Sequence, residues 1–81
     1  MNDALSLLDT VVAQINLPKQ LVLAGDVGAI VEVYTEPTLA YEVEFVNPDG
    51  STRALLTLMP NQVRHLSARD VITTRTLSFA T

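Results

Sequence analysis

Apolar and polar side chains alternate in the middle of the chain, which predicts β-strands. From Tyr41 to Val46 the apolar residues of one face are separated by Glu42 and Glu44, the period of two expected of a strand with one buried face. A second such stretch runs from Thr52 to Leu58. Between them, Asn47-Pro48-Asp49-Gly50 places proline and glycine where a type I turn and a left-handed residue need them. The two stretches are therefore predicted to form a β-hairpin.

The N-terminal part is predicted to contribute a helical turn and two strands. Residues 2–8 combine a capping residue with leucines at helical spacing, which predicts one short helical turn. Consecutive β-branched residues then favour a strand from about Asp9 to Ile15. A turn or bulge at residues 25–28 leads into an alternating strand in which Val31 and Val33 face the core.

The C-terminal part is predicted to complete an all-β fold. Residues 59–63 resemble a 3₁₀ turn, and a short strand follows from Val63 to Leu66. Five short, closely spaced strands without a long helix predict a small barrel or a sandwich, and the long early loop favours the five-stranded barrel. Residues 67–81 lie beyond it, and Val71 to Phe79 is rich enough in threonine, valine and isoleucine to predict an extra strand.

The whole chain is expected to form one domain. It has 81 residues, 48% of them hydrophobic, which is enough for one core and too few for two. Residues 1–66 are predicted to be the barrel and residues 67–81 a C-terminal extension. The inward positions of the strands predict the buried residues: Val11, Val31, Val33, Tyr41, Val43, Phe45, Leu56 and Leu58.

Composition excludes several classes of function. The chain has no cysteine and one histidine, so it offers neither a thiolate metal site nor a multi-histidine one. No apolar run approaches the roughly 18 residues that a membrane span needs. The first 16 residues carry Asp3 and Asp9 and no basic cluster, which is unlike a secretory signal. A cytoplasmic protein without membrane contact is the expectation.

Four stretches between Leu7 and Leu66 carry a resemblance to a known family: LLDTVVAQINLP, AGDVGAIVEVY, AYEVEFVNPDG and RALLTLMPNQVRHL. In order and spacing they resemble the small bacterial domain-of-unknown-function family 4926. The resemblance implies an SH3-like barrel with a KOW-like strand entry at the Gly-Asp-Val-Gly segment and a 3₁₀ turn before the last barrel strand. It implies no activity. Family members encoded beside small toxin-like genes imply a protein-binding role, as an inhibitor, antitoxin or accessory subunit.

The candidate catalytic features are weak. The Gly25-Asp26-Val27-Gly28 segment has too few glycines for a phosphate loop and precedes a strand rather than a helix. His65 has only Arg64 and Leu66 beside it in sequence, and a general base needs an oriented partner and a substrate. The carboxylates match no calcium loop, and a small barrel offers no deep cleft for paired-carboxylate chemistry. No catalytic, cofactor-binding or metal-binding residue is predicted, and the chain is not expected to be an enzyme.

Charge is distributed unevenly along the chain. Residues 1–50 have a net charge of −7 and residues 51–81 a net charge of +3. The second half motivates an alternative function, a KOW-like RNA-binding module. Four arginines over 30 residues with Phe79 as the one aromatic there make a poor nucleic-acid face, and the overall charge of −4 argues against nucleic acid. Tyr34 and Tyr41, without tryptophan, are too few for a proline-peptide groove.

The leading prediction is a non-enzymatic module that binds another protein, such as the product of a neighbouring gene. The predicted contacts are an acidic strand face and the C-terminal strand, which would also serve a homodimer by strand addition. The predicted partner-binding residues are Glu32, Glu42, Glu44, Arg75, Leu77 and Phe79.

Overall fold

The computed structural model describes residues 4–77, which form one five-stranded antiparallel sheet. The strands are β1 (Thr10–Ala13), β2 (Val27–Tyr34), β3 (Ala40–Val46), β4 (Thr52–Leu58) and β5 (Val63–His65). Two 3₁₀ turns, Pro18–Gln20 and Pro60–Gln62, interrupt the connections. The predicted all-β class, the β3–β4 hairpin and the 3₁₀ turn before the last strand are confirmed.

The order of strands in the sheet is β4-β3-β2-β1-β5. Strands β1 to β4 follow one another as a meander, and β5 returns to pair with the other side of β1. No ladder joins β4 to β5 in the part of the chain that the structure describes, so the sheet is open along these two edges. That same part contains no helix long and apolar enough to cross a membrane.

One face of the sheet forms the hydrophobic core. Five of the predicted core residues are buried, and Val33 and Leu56 pack against them partly exposed. The confirmed residues are Val11, Tyr41, Val43, Phe45 and Leu58. The complete burial of Phe45 confirms the predicted inward face of β3. Val22, from the long loop before β2, is also completely buried and closes one end of this core.

Val31 does not belong to the core, and a β-bulge explains why. Ile30 pairs with Val43 and Glu32 pairs with the adjacent Glu42, so Val31 is an extra residue in β2. An extra residue shifts the inward face by one position. Ile30 is therefore completely buried, whereas 36% of Val31 is exposed. The prediction placed Val31 inward because it assumed uninterrupted alternation.

The hairpin turn has the predicted geometry. Gly50 has a φ of +89°, its N–H donates to the carbonyl of Asn47 at 2.9 Å, and the Asn47 N–H donates to the carbonyl of Ser51 at 2.8 Å. Glycine adopts this left-handed backbone without the penalty that a Cβ would impose. The turn therefore fixes where β4 begins.

The predicted helical turn at residues 2–8 is wrong for the residues described, 4–8. The Asp9 N–H donates to the carbonyl of Ser6 at 3.0 Å, while the Asp9 carboxylate accepts the Ser6 N–H at 2.8 Å. These two bonds close a turn, and the φ of +71° at Leu8 lies outside the helical region. An aspartate side chain that bonds nearby backbone competes with helix formation in this way.

The extra C-terminal strand is also wrong for residues 71–77, which form no strand. Ser78 and Phe79 lie outside the described residues. Among the described residues, the last backbone hydrogen bond before this segment is donated by the Asp70 N–H to the carbonyl of Ser67 at 3.0 Å. Arg75 instead contacts Asp26 and the carbonyl of Leu21 in the loop before β2, so β propensity alone did not determine the structure of this segment.

Candidate functional site

The three predicted glutamates come together on the outer face of the sheet, opposite the core. Glu42 and Glu44 alternate with Val43 and Phe45 along β3, and Glu32 of β2 pairs directly with Glu42. The pairing of β2 with β3 thus brings the three carboxylates onto two adjacent strands.

Two of these carboxylates are held by hydroxyl groups of β4. Thr57 donates to Glu42 at 2.5 Å, and Thr52 donates to Glu44 at 2.5 Å. Within residues 4–77 no lysine or arginine forms an ion pair with any of the three glutamates. Their negative charges are therefore oriented but not neutralised.

Exposed apolar side chains lie on the same outer surface. Leu55 pairs with Glu44 across the hairpin and is 52% exposed. Val46 continues the outward face of β3 and is 47% exposed, and the bulged Val31 lies next to Glu32 in β2. We call the surface formed by Val31, Glu32, Glu42, Glu44, Val46 and Leu55 the glutamate face. It combines charge with apolar area, as protein-binding surfaces do.

Arg53 does not pair with Glu44. In the β3–β4 ladder Phe45 pairs with Ala54 and Val46 with Thr52, so Arg53 is an extra residue at a bulge and leaves the regular alternation. Its guanidinium lies 3.2 Å from the carboxylate of Asp26.

Arg53 also bonds two backbone carbonyls of the surrounding loops. Its side chain donates to the carbonyl of Leu21 at 3.0 Å and to that of Val46 at 2.8 Å. The side chains of Arg53 and Asp26 are 12% and 13% exposed, so solvent reaches little of this pair. It joins the end of the hairpin to the loop before β2.

A second arginine, Arg75, reaches the same carboxylate. It donates to the two oxygens of Asp26, at 3.0 Å from Nε and 2.5 Å from Nη2, and to the carbonyl of Leu21 at 3.3 Å. Burial raises the pKa of the Asp26 carboxyl, but the hydrogen bonds from Arg75 and Leu23 and the charges of Arg75 and Arg53 outweigh it and lower that pKa. Asp26 thus remains ionised between two guanidinium groups.

Residues 72–77 border a groove beside Asp26, Arg53 and Arg75. The cavity has a volume of about 570 Å³ and lies between the segment Gly25–Val27, the segment Val46–Pro48 and residues 72–77. Leu77, one of the predicted partner-binding residues, is half-buried there, and Arg75 is engaged with Asp26. Phe79, predicted to share their role, lies outside the described residues.

The sequence reasoning missed Asp26 as an organising residue. The Gly-Asp-Val-Gly segment predicts a turn, and Asp26 accepts the Leu23 N–H at 3.0 Å. Its charge was counted, but nothing nearby in sequence indicates that residues 53 and 75 would contact it.

The carboxylate of Asp9 lies near the imidazole of His65 but beyond hydrogen-bond distance. Its Nε2 lies 3.8 Å from Asp9 Oδ2, and the side chain is 53% exposed. Ser67 and His65 line the same surface pocket. The Ser67 hydroxyl accepts the Arg69 N–H at 2.9 Å. No cluster of three metal-ligating side chains occurs among residues 4–77.

Comparison with known proteins identifies a family. The model of the family described as "Domain of unknown function (DUF4926)" matches residues 7–65. The chain belongs to this family. No curated protein and no solved structure matches the chain.

The DUF4926 match includes the glutamate face and both members of the Asp26–Arg53 pair. Arg75 and Leu77 lie beyond its last matched residue. Asp26 and Arg53 therefore lie within the DUF4926 region, whereas Arg75, which contacts Asp26, lies in an extension of that region.

Proposed function

We propose that this DUF4926 chain is a non-enzymatic protein-binding module built on an SH3-like barrel. The strand order, with β5 returning to the far side of β1, supports the barrel, as does the 3₁₀ turn directly before β5. The glutamate face is the proposed contact surface. The partner is an enzyme or toxin that the chain inhibits or accompanies in the cytoplasm, such as the product of a neighbouring gene.

The observation that carries this proposal is the direct pairing of Glu32 with Glu42 across β2 and β3. Like charges at directly opposed positions destabilise a sheet. No cation within residues 4–77 offsets the repulsion. A basic side chain of a partner placed between the two carboxylates would remove it, so binding would stabilise a pair that costs the free chain stability.

The apolar residues of the glutamate face support a protein as the partner. Leu55 and Val46 are about half exposed and flank Glu44 on the outer surface. A small cation would not bury these apolar side chains, whereas a basic protein surface with apolar residues would bury them and gain binding free energy. Charge would then mainly accelerate association, and apolar contact would contribute affinity.

The arginines do not support the RNA-binding alternative. Arg53 and Arg75 contact Asp26, and Arg64 contacts Asp70 at 2.8 Å. Three of the four arginines in the basic half are thus matched with carboxylates, and neutralised arginines contribute little to phosphate binding. We therefore do not propose RNA binding.

The test replaces the three glutamates by glutamine and compares partner capture from the native host. Glu32→Gln, Glu42→Gln and Glu44→Gln together keep the size and the acceptor oxygens for Thr52 and Thr57, while removing three charges. The matched control is Glu36→Gln, an exposed loop residue outside the sheet.

We expect the wild type and the control to capture the same specific protein at low salt, and the triple variant to lose it while folding at least as stably. Equal capture by the triple variant would overturn the glutamate face as the contact surface. Recovery of RNA, or of abundant chaperones and ribosomal proteins alone, would overturn the proposed function.

A further inference from the structure

We propose that the groove beside Asp26 is a recognition site for an extended polypeptide segment that carries an arginine. In this structure the chain's own residues 71–77, which we call the strap, place Arg75 on Asp26, and residues 72–77 form one wall of the groove. In the partner-bound state an arginine-bearing segment of the partner replaces the strap. Apart from Val46, this site uses residues other than those of the glutamate face, and it does not depend on that face binding anything.

The fixed side of the site is a preorganised carboxylate. Asp26 accepts the Leu23 N–H at 3.0 Å and lies 3.2 Å from the guanidinium of Arg53. Arg53 is in turn held by the carbonyls of Leu21 and Val46. These bonds fix the orientation of the Asp26 carboxylate before any segment binds, so Asp26 and Arg53 lose little conformational freedom on binding.

The bound group is an arginine rather than a generic cation. Arg75 places two nitrogens on the two oxygens of Asp26 and donates a further bond to the carbonyl of Leu21. A planar guanidinium can make this paired contact, whereas a lysine ammonium acts as a point charge. The carbonyl of Leu21 is a neutral acceptor for the same Nη2 that donates to Asp26 Oδ2.

The strap is attached by this contact and not by a backbone ladder. No backbone hydrogen bond joins residues 71–77 to the rest of the described chain. Val71 is 84% exposed and Ile72 is 65% exposed, so the start of the strap buries little apolar area. A segment held mainly by one side chain opens at low cost, which makes it exchangeable.

The walls of the groove fit an extended segment. Val27 and Val46 supply apolar surface, and a volume of about 570 Å³ remains open beside the strap. Leu77 lines the same groove two residues after Arg75. The recognised pattern is therefore an arginine followed two residues later by an aliphatic side chain.

The experiment uses the full chain and a labelled peptide with the sequence of residues 70–77, compared with the same peptide carrying glutamine in place of the arginine. In the wild type the strap competes from within the chain, at an effective concentration on the order of millimolar. The Arg75→Gln chain loses that competitor. The matched control is Arg69→Gln, which removes an exposed arginine just before the strap whose side chain has no carboxylate partner within residues 4–77.

We expect fluorescence anisotropy to show the Arg75→Gln chain binding the arginine peptide at least tenfold more tightly than the wild type and the control do. It should also prefer the arginine peptide to the glutamine peptide by at least tenfold. Equal affinity for the two peptides, or no binding to the Arg75→Gln chain, would overturn the proposal. The comparison needs no variant of Asp26, whose replacement threatens the fold through Arg53.

Sedimentation of the wild type distinguishes the source of the bound strap. A monomer at all concentrations is expected for a strap bound within its own chain. A concentration-dependent dimer that Arg75→Gln abolishes and Arg69→Gln preserves would instead place the strap of a second copy in the groove, and would overturn the assignment of the chain's own strap as occupant.

Discussion

Replacing Gly28 by alanine tests the close packing of β2 against β3. Gly28 is buried in β2. A methyl group there would lie 2.8 Å from the Glu44 carbonyl oxygen, 2.9 Å from Val43 Cγ1 and 3.0 Å from Phe45 Cδ1. The closest of these atoms belongs to backbone inside a sheet, which cannot move aside as the end of a flexible side chain would.

The expected cost is the difference between two effects. Overpacking of a well-ordered core costs about 1–3 kcal/mol, whereas replacing glycine by alanine stabilises by about 0.4–1 kcal/mol through the unfolded chain. The net loss should be about 1–2 kcal/mol. For a domain of this size such a loss lowers Tm by about 5–15 °C, which circular dichroism melting resolves easily.

Two further variants separate steric overlap from backbone strain. Gly25 has a φ of +97° and nothing within 4 Å of an added methyl group, so Gly25→Ala should cost about 1 kcal/mol from the left-handed backbone alone. Val43→Ala removes one of the atoms that the Gly28→Ala methyl group would meet, so the double variant should be less destabilised than the sum of the two single variants. Simple additivity, or an unchanged Tm for Gly28→Ala, would refute the packing argument.

Local chemistry made the hairpin and the outward positions of Glu42 and Glu44 predictable. The turn at residues 47–50 has a sequence that fits one geometry, and alternation in β3 then assigns Glu42 and Glu44 outward without knowledge of the rest of the fold. Both follow from interactions over a few residues, which a single sequence contains in full.

The bulge and the Asp26 cluster could not be predicted in the same way. Ile30 and Val31 are both apolar and β-branched, so the sequence does not indicate which of them is the extra residue. The pairing of β2 with β3 makes Val31 the extra residue. Arg75 and Asp26 are 49 residues apart in sequence. They meet only because the folded sheet places the loop before β2 beside residues 71–77. β propensity predicted a strand from residue 71 because it ignores side-chain contacts made at that distance.

Three further variants test the core, the turn and the Asp26 cluster. Phe45→Ala removes a completely buried ring and should cost about 3–5 kcal/mol in urea unfolding; a loss under about 1 kcal/mol would contradict the burial. Gly50→Ala should lower the free energy of unfolding by about 1 kcal/mol because its φ is positive, and a raised Tm would exclude the turn described. Asp26→Asn tests the ion pairs through their dependence on pH. The pKa of Asp26 is lowered in the folded chain from 3.8, so its ionised form stabilises the fold at pH values above about 4, and this contribution disappears as the pH falls through the lower folded value. The wild type should therefore lose stability between about pH 4 and pH 2 more steeply than Asp26→Asn, which has no proton to take up at this position. Asp70, whose pKa Arg64 lowers to about 2, titrates in both proteins and cancels in the comparison. The measurement is the urea midpoint of the wild type and of Asp26→Asn at pH 7, 4, 3 and 2. If the two midpoints fall equally as the pH is lowered, the two guanidinium groups do not stabilise the Asp26 carboxylate in solution.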